Sequence, residues 1–232
     1  MRDIFRDRIE AGQLLAEKLM RYANQPNVIV LGLPRGGVPV AFEVAKALHA
    51  PLDVFVVRKL GTPGRRELAM GAIATGGVRV LNEEVVRGLG IPMEMIDAVT
   101  EEENQELKRR ELAYRGSYSE PEVRGKTVIL IDDGIATGST MRAAVRALKA
   151  QHPARLIVAV PTAAGSTYRD LRPELDELVV LMTPELFYGV GEWYEDFSQT
   201  SDAEVTELLK ARARSWTVSP SLEGVVGKGS KD

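Results

Sequence analysis

The chain has 232 residues, 44% hydrophobic and 27% charged, with 30 Lys and Arg against 33 Asp and Glu for a formal net charge of −3. This is the profile of a globular domain with a core of ordinary size. With no cysteine and two histidines, His49 and His152, the composition excludes disulfides, thiolate catalysis, iron–sulfur clusters and a three-histidine metal centre. The acidic balance argues against broad nucleic-acid binding. No apolar run approaches the roughly 20 residues of a membrane helix, and the N-terminus begins polar, so the expectation is a cytoplasmic protein with neither nucleic acid nor membrane as partner.

Ile9, Leu15, Leu19 and Tyr22 recur at helical spacing, which predicts an amphipathic helix over 5–23. Residues 28–33 are short, apolar and β-branched and read as a buried strand. A helix over 38–48 and a second buried strand over 52–57 follow. Residues 61–68 (GTPGRREL) lack periodicity and read as a loop. Segments 69–75 and 78–81 flank Gly76-Gly77 as a hairpin. A long helix is predicted over 91–115, with Pro92 near its start and Lys108, Arg109 and Arg110 toward its end. Its acids at 101–103 read as a solvated face or a dimer element. The clearest strand is 127–131, followed by a loop over 132–139 and a helix over 140–150. Strands over 155–160 and 178–182 flank a short helix near 166–171. A last helix spans 202–213, capped by Ser201 or Asp202. Apolar strands alternating with helices give an α/β fold with a mainly parallel central sheet flanked by helices. Ligands of such folds sit at the carboxyl ends of the strands.

The loop after the clearest strand reads D-D-G-I-A-T-G-S-T. Asp132 and Asp133 arrive at a strand end, and Gly134, Ala136, Thr137, Gly138, Ser139 and Thr140 lead into a helix. Gly138 lets the backbone approach an anion. The hydroxyls, the free amides and the positive dipole end of the helix converge on one point, forming a phosphate cup. Two carboxylates repel phosphate, so they are expected to face vicinal hydroxyls. A phosphate cup beside acceptors for a diol describes a binder of ribose 5-phosphate. The string is neither a P-loop nor a dinucleotide fingerprint.

This string resembles the phosphoribosyl pyrophosphate signature of type I phosphoribosyltransferases, and the resemblance extends over about residues 1–210. It implies a parallel sheet with a small hood. Asp132 and Asp133 would hold the ribose hydroxyls, and residues 136–140 the 5-phosphate. Ala136 stands where many members carry a hydroxyl, and Gly134 replaces a branched residue. Arg35, Gly36 and Gly37 match the loop that grips pyrophosphate. Arg58 and Lys59, with Asp133, are the catalytic candidates. Arg65 and Arg66 belong to a flexible loop that would close over the substrate, excluding water and steadying the leaving charge. Phe187, Tyr188 and Trp193 are candidates for stacking on a base, whereas Phe197 is expected to pack the hood.

The expected layout is one domain over 1–215, with a core over 27–183, a hood from 1–26 and 184–200, and a mobile tail over 216–232. The resemblance implies transfer of a phosphoribosyl group to a small-molecule acceptor, a nucleobase or similar. Mg2+ would be carried with the phosphoribosyl pyrophosphate rather than held directly by the protein, and a homodimer is expected. The alternative is a regulator or sensor that binds the same ligand without turnover.

Overall fold

The computed structural model describes residues 4–116 and 120–217. The side chains of Arg66, Glu67, Trp216 and Thr217 lie outside that description, as does nearly all of the expected tail. Along the chain run α1 (Arg8–Leu19), β1 (Val28–Gly32), α2 (Gly37–Leu48), β2 (Leu52–Val54), β3 (Val57–Thr62), β4 (Arg65–Ala74) and β5 (Val78–Leu81). Then come α3 (Glu83–Gly88), α4 (Met93–Arg115), β6 (Thr127–Ile131), α5 (Ser139–Lys149) and β7 (Arg155–Thr162). Helix α6 (Gly165–Leu171), β8 (Glu177–Met182) and α7 (Asp202–Thr217) complete the order.

Five strands form a wholly parallel sheet in the order β2-β1-β6-β7-β8. Their runs are largely apolar, the exceptions being Asp53, Thr127, Arg155, Thr162 and Glu177, because the sheet is covered on both faces. Successive side chains still alternate. Val30, Ile129, Ile131, Ile157 and Ala159 pack with α1 and α2. Leu31, Val128, Leu130, Val158 and Val160 pack with Met141, Ala144, Val145 and Leu148 of α5. A second, antiparallel sheet, β3-β4-β5, packs against α5 on one side and α4 on the other.

Several expectations are corrected. The run 52–57 is not one strand. Pairing with β1 ends at Val54, after which the Val56 amide donates to Thr75 Oγ1 and the Thr75 amide to the Val56 carbonyl. Continuous hydrophobicity hides this change of sheet because both halves are buried. The expected loop 61–68 is the far end of the β3–β4 hairpin, turning at Pro63-Gly64. Glycine and arginine spacing conceals it because the register shifts there. Helix α3 was not expected; the Asn82 side chain caps it, accepting from the Val85 amide. Ser201 caps α7, accepting from the Glu204 amide.

Helix α1 lies in the layer covering the sheet. Ile9 is 49% exposed, and Ala11, Gly12, Leu15, Ala16 and Leu19 take the buried positions. The reason is close approach to α2: a Cβ on Gly12 would stand 2.8 Å from the Val40 carbonyl oxygen. Small residues, which a hydrophobic period underweights, set that face.

The edge strand β2 is tied to α4 by an ion pair. Arg115, its side chain 4% exposed, meets Asp53 at 2.8 Å and donates to the Val54 carbonyl at 2.6 Å. Burial pushes the Asp53 carboxyl up despite the guanidinium. Arg115→Met would strand a buried carboxylate, and urea unfolding is expected to show a loss of about 3 kcal/mol; an unchanged midpoint would mean the pair contributes nothing to the anchoring of β2.

Candidate functional site

Strand β1 has β2 on one side and β6 on the other. The connections from β1 therefore run in opposite directions and leave a crevice at the carboxyl ends of β1 and β6, the usual binding place in open parallel sheets. Two loops meet there. The Leu33 amide donates to the Ile131 carbonyl at 2.8 Å. A Cβ on Gly37 would stand 2.7 Å from the Ile131 carbonyl oxygen, and one on Gly36 would stand 2.0 Å from Asp133 Oδ2. Only glycine permits this contact. The Pro34–Arg35 peptide is cis.

The loop after β6 is fixed at its base and open at its rim. Ile135 donates to the Thr162 carbonyl and accepts from the Ala164 amide, both at 2.9 Å, while Thr167 Oγ1 donates to the Ala136 carbonyl at 2.6 Å. Gly138 has φ of 73°, a left-handed conformation, and a Cβ there would meet Thr167 Cγ2 at 2.5 Å. Both constraints favour glycine at the entry to α5. Among the described residues, no protein acceptor takes the amides of 136–141. Thr137, Ser139 and Thr140 are exposed beside them. The result is a cavity of about 200 Å³ lined by Asp132, Gly134, Ala136, Thr137, Gly138, Ser139 and Thr140, with Val190 on its far side. Unsatisfied donors at a helix start suit an anion.

The acids divide their partners. Asp132 borders the cavity and accepts the Asp133 amide at 2.9 Å. Asp133 meets Arg8 Nε and Nη2, each at 2.9 Å. Arg8 also donates to the Ser198 carbonyl at 2.7 Å and lies 4.0 Å from the Phe197 ring centroid. Tyr194 Oη donates to the Asp133 carbonyl at 2.6 Å. Phe5 pairs with Tyr194, its amide donating to the Trp193 carbonyl, so the segment before α1 and the segment between β8 and α7 meet beside the acid pair. Burial pushes the Asp132 carboxyl well up, and the Asp133 charge adds to this. Burial also raises Asp133, with Arg8 opposing.

Arg8, which holds Asp133, was assigned no role from the sequence. It lies 125 residues from its partner, in a charged amphipathic segment where no local spacing distinguishes it. Val190 was missed also; it was hidden in the aromatic run, yet a Cβ on Gly134 would meet its Cγ1 at 2.5 Å.

The other expected residues do not line this cavity. Arg35 reaches Asp202 of α7 at 3.7 Å. Arg58 pairs with Glu103 of α4 at 2.6 Å, which gives the acids at 101–103 a structural partner rather than a purely solvated face. Arg58 and Lys59 line a separate cavity of about 460 Å³ with Glu102 and Glu103. Arg65 begins β4, and the Arg66 side chain is outside the description. Phe187 lines a third cavity, of about 580 Å³, and stacks on Trp193 at 6.2 Å. The Trp193 indole nitrogen is buried with no partner among the described residues. Tyr188 is 80% exposed. Phe197 packs beside Tyr194 at 5.2 Å, as expected of it.

An open parallel sheet with an acid pair and a cavity rich in amide and hydroxyl donors at its switch point defines an α/β protein with a candidate binding site at the carboxyl ends of its strands. Residues 64–180, about half of the chain, match the family model described as phosphoribosyl transferase domain, and the chain belongs to that family. It is 43% identical over 229 residues to the Mycobacterium tuberculosis protein named "Putative phosphoribosyl transferase MT0597", covering 99% of this chain and 52% of that protein. The chain thus spans about half the length of the curated relatives it matches first. Among solved structures, TT1426 from Thermus thermophilus superposes with a TM-score of 0.80 at 39% identity, covering 89% of this chain and 97% of that one. A further match, 29% identical over 117 residues, is the bifunctional protein PyrR of Brevibacillus brevis, covering 48% of this chain and 65% of that protein.

The raised carboxyls have a consequence for stability. A folded value above the unfolded one favours the native state at low pH, and this benefit is lost as pH rises through the raised value. Asp132→Asn removes the more strongly raised group. Urea midpoints measured from about pH 5 to pH 8 are expected to fall less in the variant, which is the more stable protein at neutral pH. Parallel pH profiles would contradict this.

Proposed function

We propose that the protein transfers a 5-phosphoribosyl group from magnesium phosphoribosyl pyrophosphate to a nitrogenous base or similar acceptor, releasing pyrophosphate. The observation that carries this reading is the joining of an open amide-and-hydroxyl cup to a carboxylate pair that sits against Gly36 and Gly37. The cup takes the 5-phosphate. Asp132 and Asp133 face the ribose diol, whose hydroxyls donate to carboxylates. The 35–37 loop receives the pyrophosphate, where close backbone approach is available because two glycines stand there. The donor set fits a phosphorylated sugar that brings its own magnesium, whose chemistry is to neutralise pyrophosphate oxygens.

In the reaction the ribose C1–oxygen bond to pyrophosphate breaks, and a bond from C1 to an acceptor nitrogen forms. The chain's contribution is positioning and electrostatic stabilisation. Fixing the phosphate and the diol holds C1 between the acceptor and the leaving group. Arg35 and, after leaving Glu103, Arg58 and Lys59 carry the charge to meet pyrophosphate. The β3–β4 hairpin, with Arg65 and Arg66 at its far end, is the element suited to shield the centre from water. The acceptor is placed beside the 187–193 segment, where Phe187, Tyr188 and Trp193 offer ring faces and Val190 borders the cup.

A second reading, binding without turnover, is favoured by one observation: Arg35 and Arg58 are already engaged by Asp202 and Glu103. One assay separates the two. With magnesium phosphoribosyl pyrophosphate and a panel of nucleobases, an enzyme releases pyrophosphate in the presence of one acceptor; saturable binding with no release for any base supports the sensor. In either case Thr137→Val removes a hydroxyl donor to phosphate and is expected to weaken calorimetric affinity at least about tenfold. Unchanged affinity would refute the cup.

A further inference from the structure

A second cavity adjoins the cup and is not used by the proposed reaction. It lies between the β4–β5 strands and the first turns of α5, encloses about 210 Å³, and shares Ser139 with the cup. The small residues Ala69, Gly71, Ala72 and Ala143 leave the space open. Its polar side chains are Asn82, Ser139, Arg142 and Arg146, with no acid among the lining residues. The Asn82 oxygen is taken by the Val85 amide, which leaves its nitrogen as a donor. The side-chain chemistry presented is therefore hydrogen-bond donors and positive charge.

The two arginines sit four residues apart on one helix, an arrangement in which like charges repel. Among the described residues neither lies within 4.0 Å of a carboxylate, unlike most arginines around the site. Guanidinium forks suit phosphate oxygens, and an anion between them would remove the repulsion. Arg142 already donates to the Thr137 carbonyl, and its guanidinium carbon would lie 3.4 Å from a Cβ on Gly138. One side chain thus touches both the groove and the turn that forms the cup.

We propose that this groove is a second phosphate subsite, separate from the cup, which binds a free phosphate or a phosphate monoester between Arg142 and Arg146. Through Arg142 its occupancy is coupled to the cup: an anion that draws the guanidinium away from the Thr137 carbonyl changes how the cup's turn is held.

The test is titration with inorganic phosphate, and separately with ribose 5-phosphate, followed by 15N NMR of the arginine Nε groups. Three proteins are compared: wild type, Thr137→Val, in which the cup is impaired, and Arg146→Gln, a change at an exposed position outside the cup. The Arg146 Nε signal is expected to shift saturably in wild type and in Thr137→Val. A response to inorganic phosphate assigns a free anion, and a response to ribose 5-phosphate alone assigns an ester. Arg146→Gln should weaken the response of Arg142 at least about tenfold while leaving affinity for magnesium phosphoribosyl pyrophosphate within about twofold. The proposal is overturned if the Arg146 signal never saturates, or if the Arg142 response disappears in Thr137→Val and persists unchanged in Arg146→Gln. Loss of phosphoribosyl pyrophosphate binding in wild type would instead count against the cup, which the groove does not require.

Discussion

Two adjacent carboxylates withdrawn from water at the end of a parallel strand repel each other, and the chain holds them there by bringing distant parts to a single point. Arg8 supplies the charge from α1, and its guanidinium lies against Phe197. Tyr194 ties the backbone of Asp133 from the C-terminal segment. Gly36 supplies the room, since any Cβ there would collide with the Asp133 carboxylate. Removing one of these supports disturbs the others. The start of α1, the segment between β8 and α7, the loop after β1 and the loop after β6 are therefore one structural unit built around Asp133.

The same contact explains how a site can be ready for ligand without being a stable place for charge. Asp132 borders the cavity and its carboxyl is pushed well up by burial and by its neighbour. A diol placed against it would donate hydrogen bonds to the ionised form and favour that form. Among the described residues, the amides at the start of α5 likewise have no protein acceptor, an arrangement that suits an anion. Functional sites commonly sit at such a cost to folding stability. Here the cost is confined to a few residues, because the strands beneath are fully buried and the turn's base is fixed to β7 and α6.

Much of this was legible in the sequence. Buried parallel strands announce themselves as apolar runs, and Asp132 with the residues from Gly134 to Thr140 lines one cavity because they are contiguous on a turn and a helix start, while the Asp133 carboxylate meets Arg8 instead. The apposition of Gly36 and Gly37 with the acids was legible as a motif but not as a contact. What escaped has a common physical character. Arg8 acts through a partner far along the chain. Val190 meets the cup only through the fold. The transfer of the chain from β2 to β3 occurs inside a run that is hydrophobic on both sides of the break. Glu103 looked like surface charge, yet it is the partner of Arg58. Periodicity and local motifs report on neighbours in sequence, and each of these features depends on neighbours in space.

The most direct measurement is a crystal structure determined with magnesium phosphoribosyl pyrophosphate bound. The account predicts the 5-phosphate within hydrogen-bonding distance of the amides and hydroxyls of 137–140. It also predicts the ribose hydroxyls on Asp132 and Asp133, and the pyrophosphate against Gly36 and Gly37. A phosphate group seated elsewhere, with the 137–140 turn empty and the acid pair still contacted only by Arg8 and its own backbone, would contradict it.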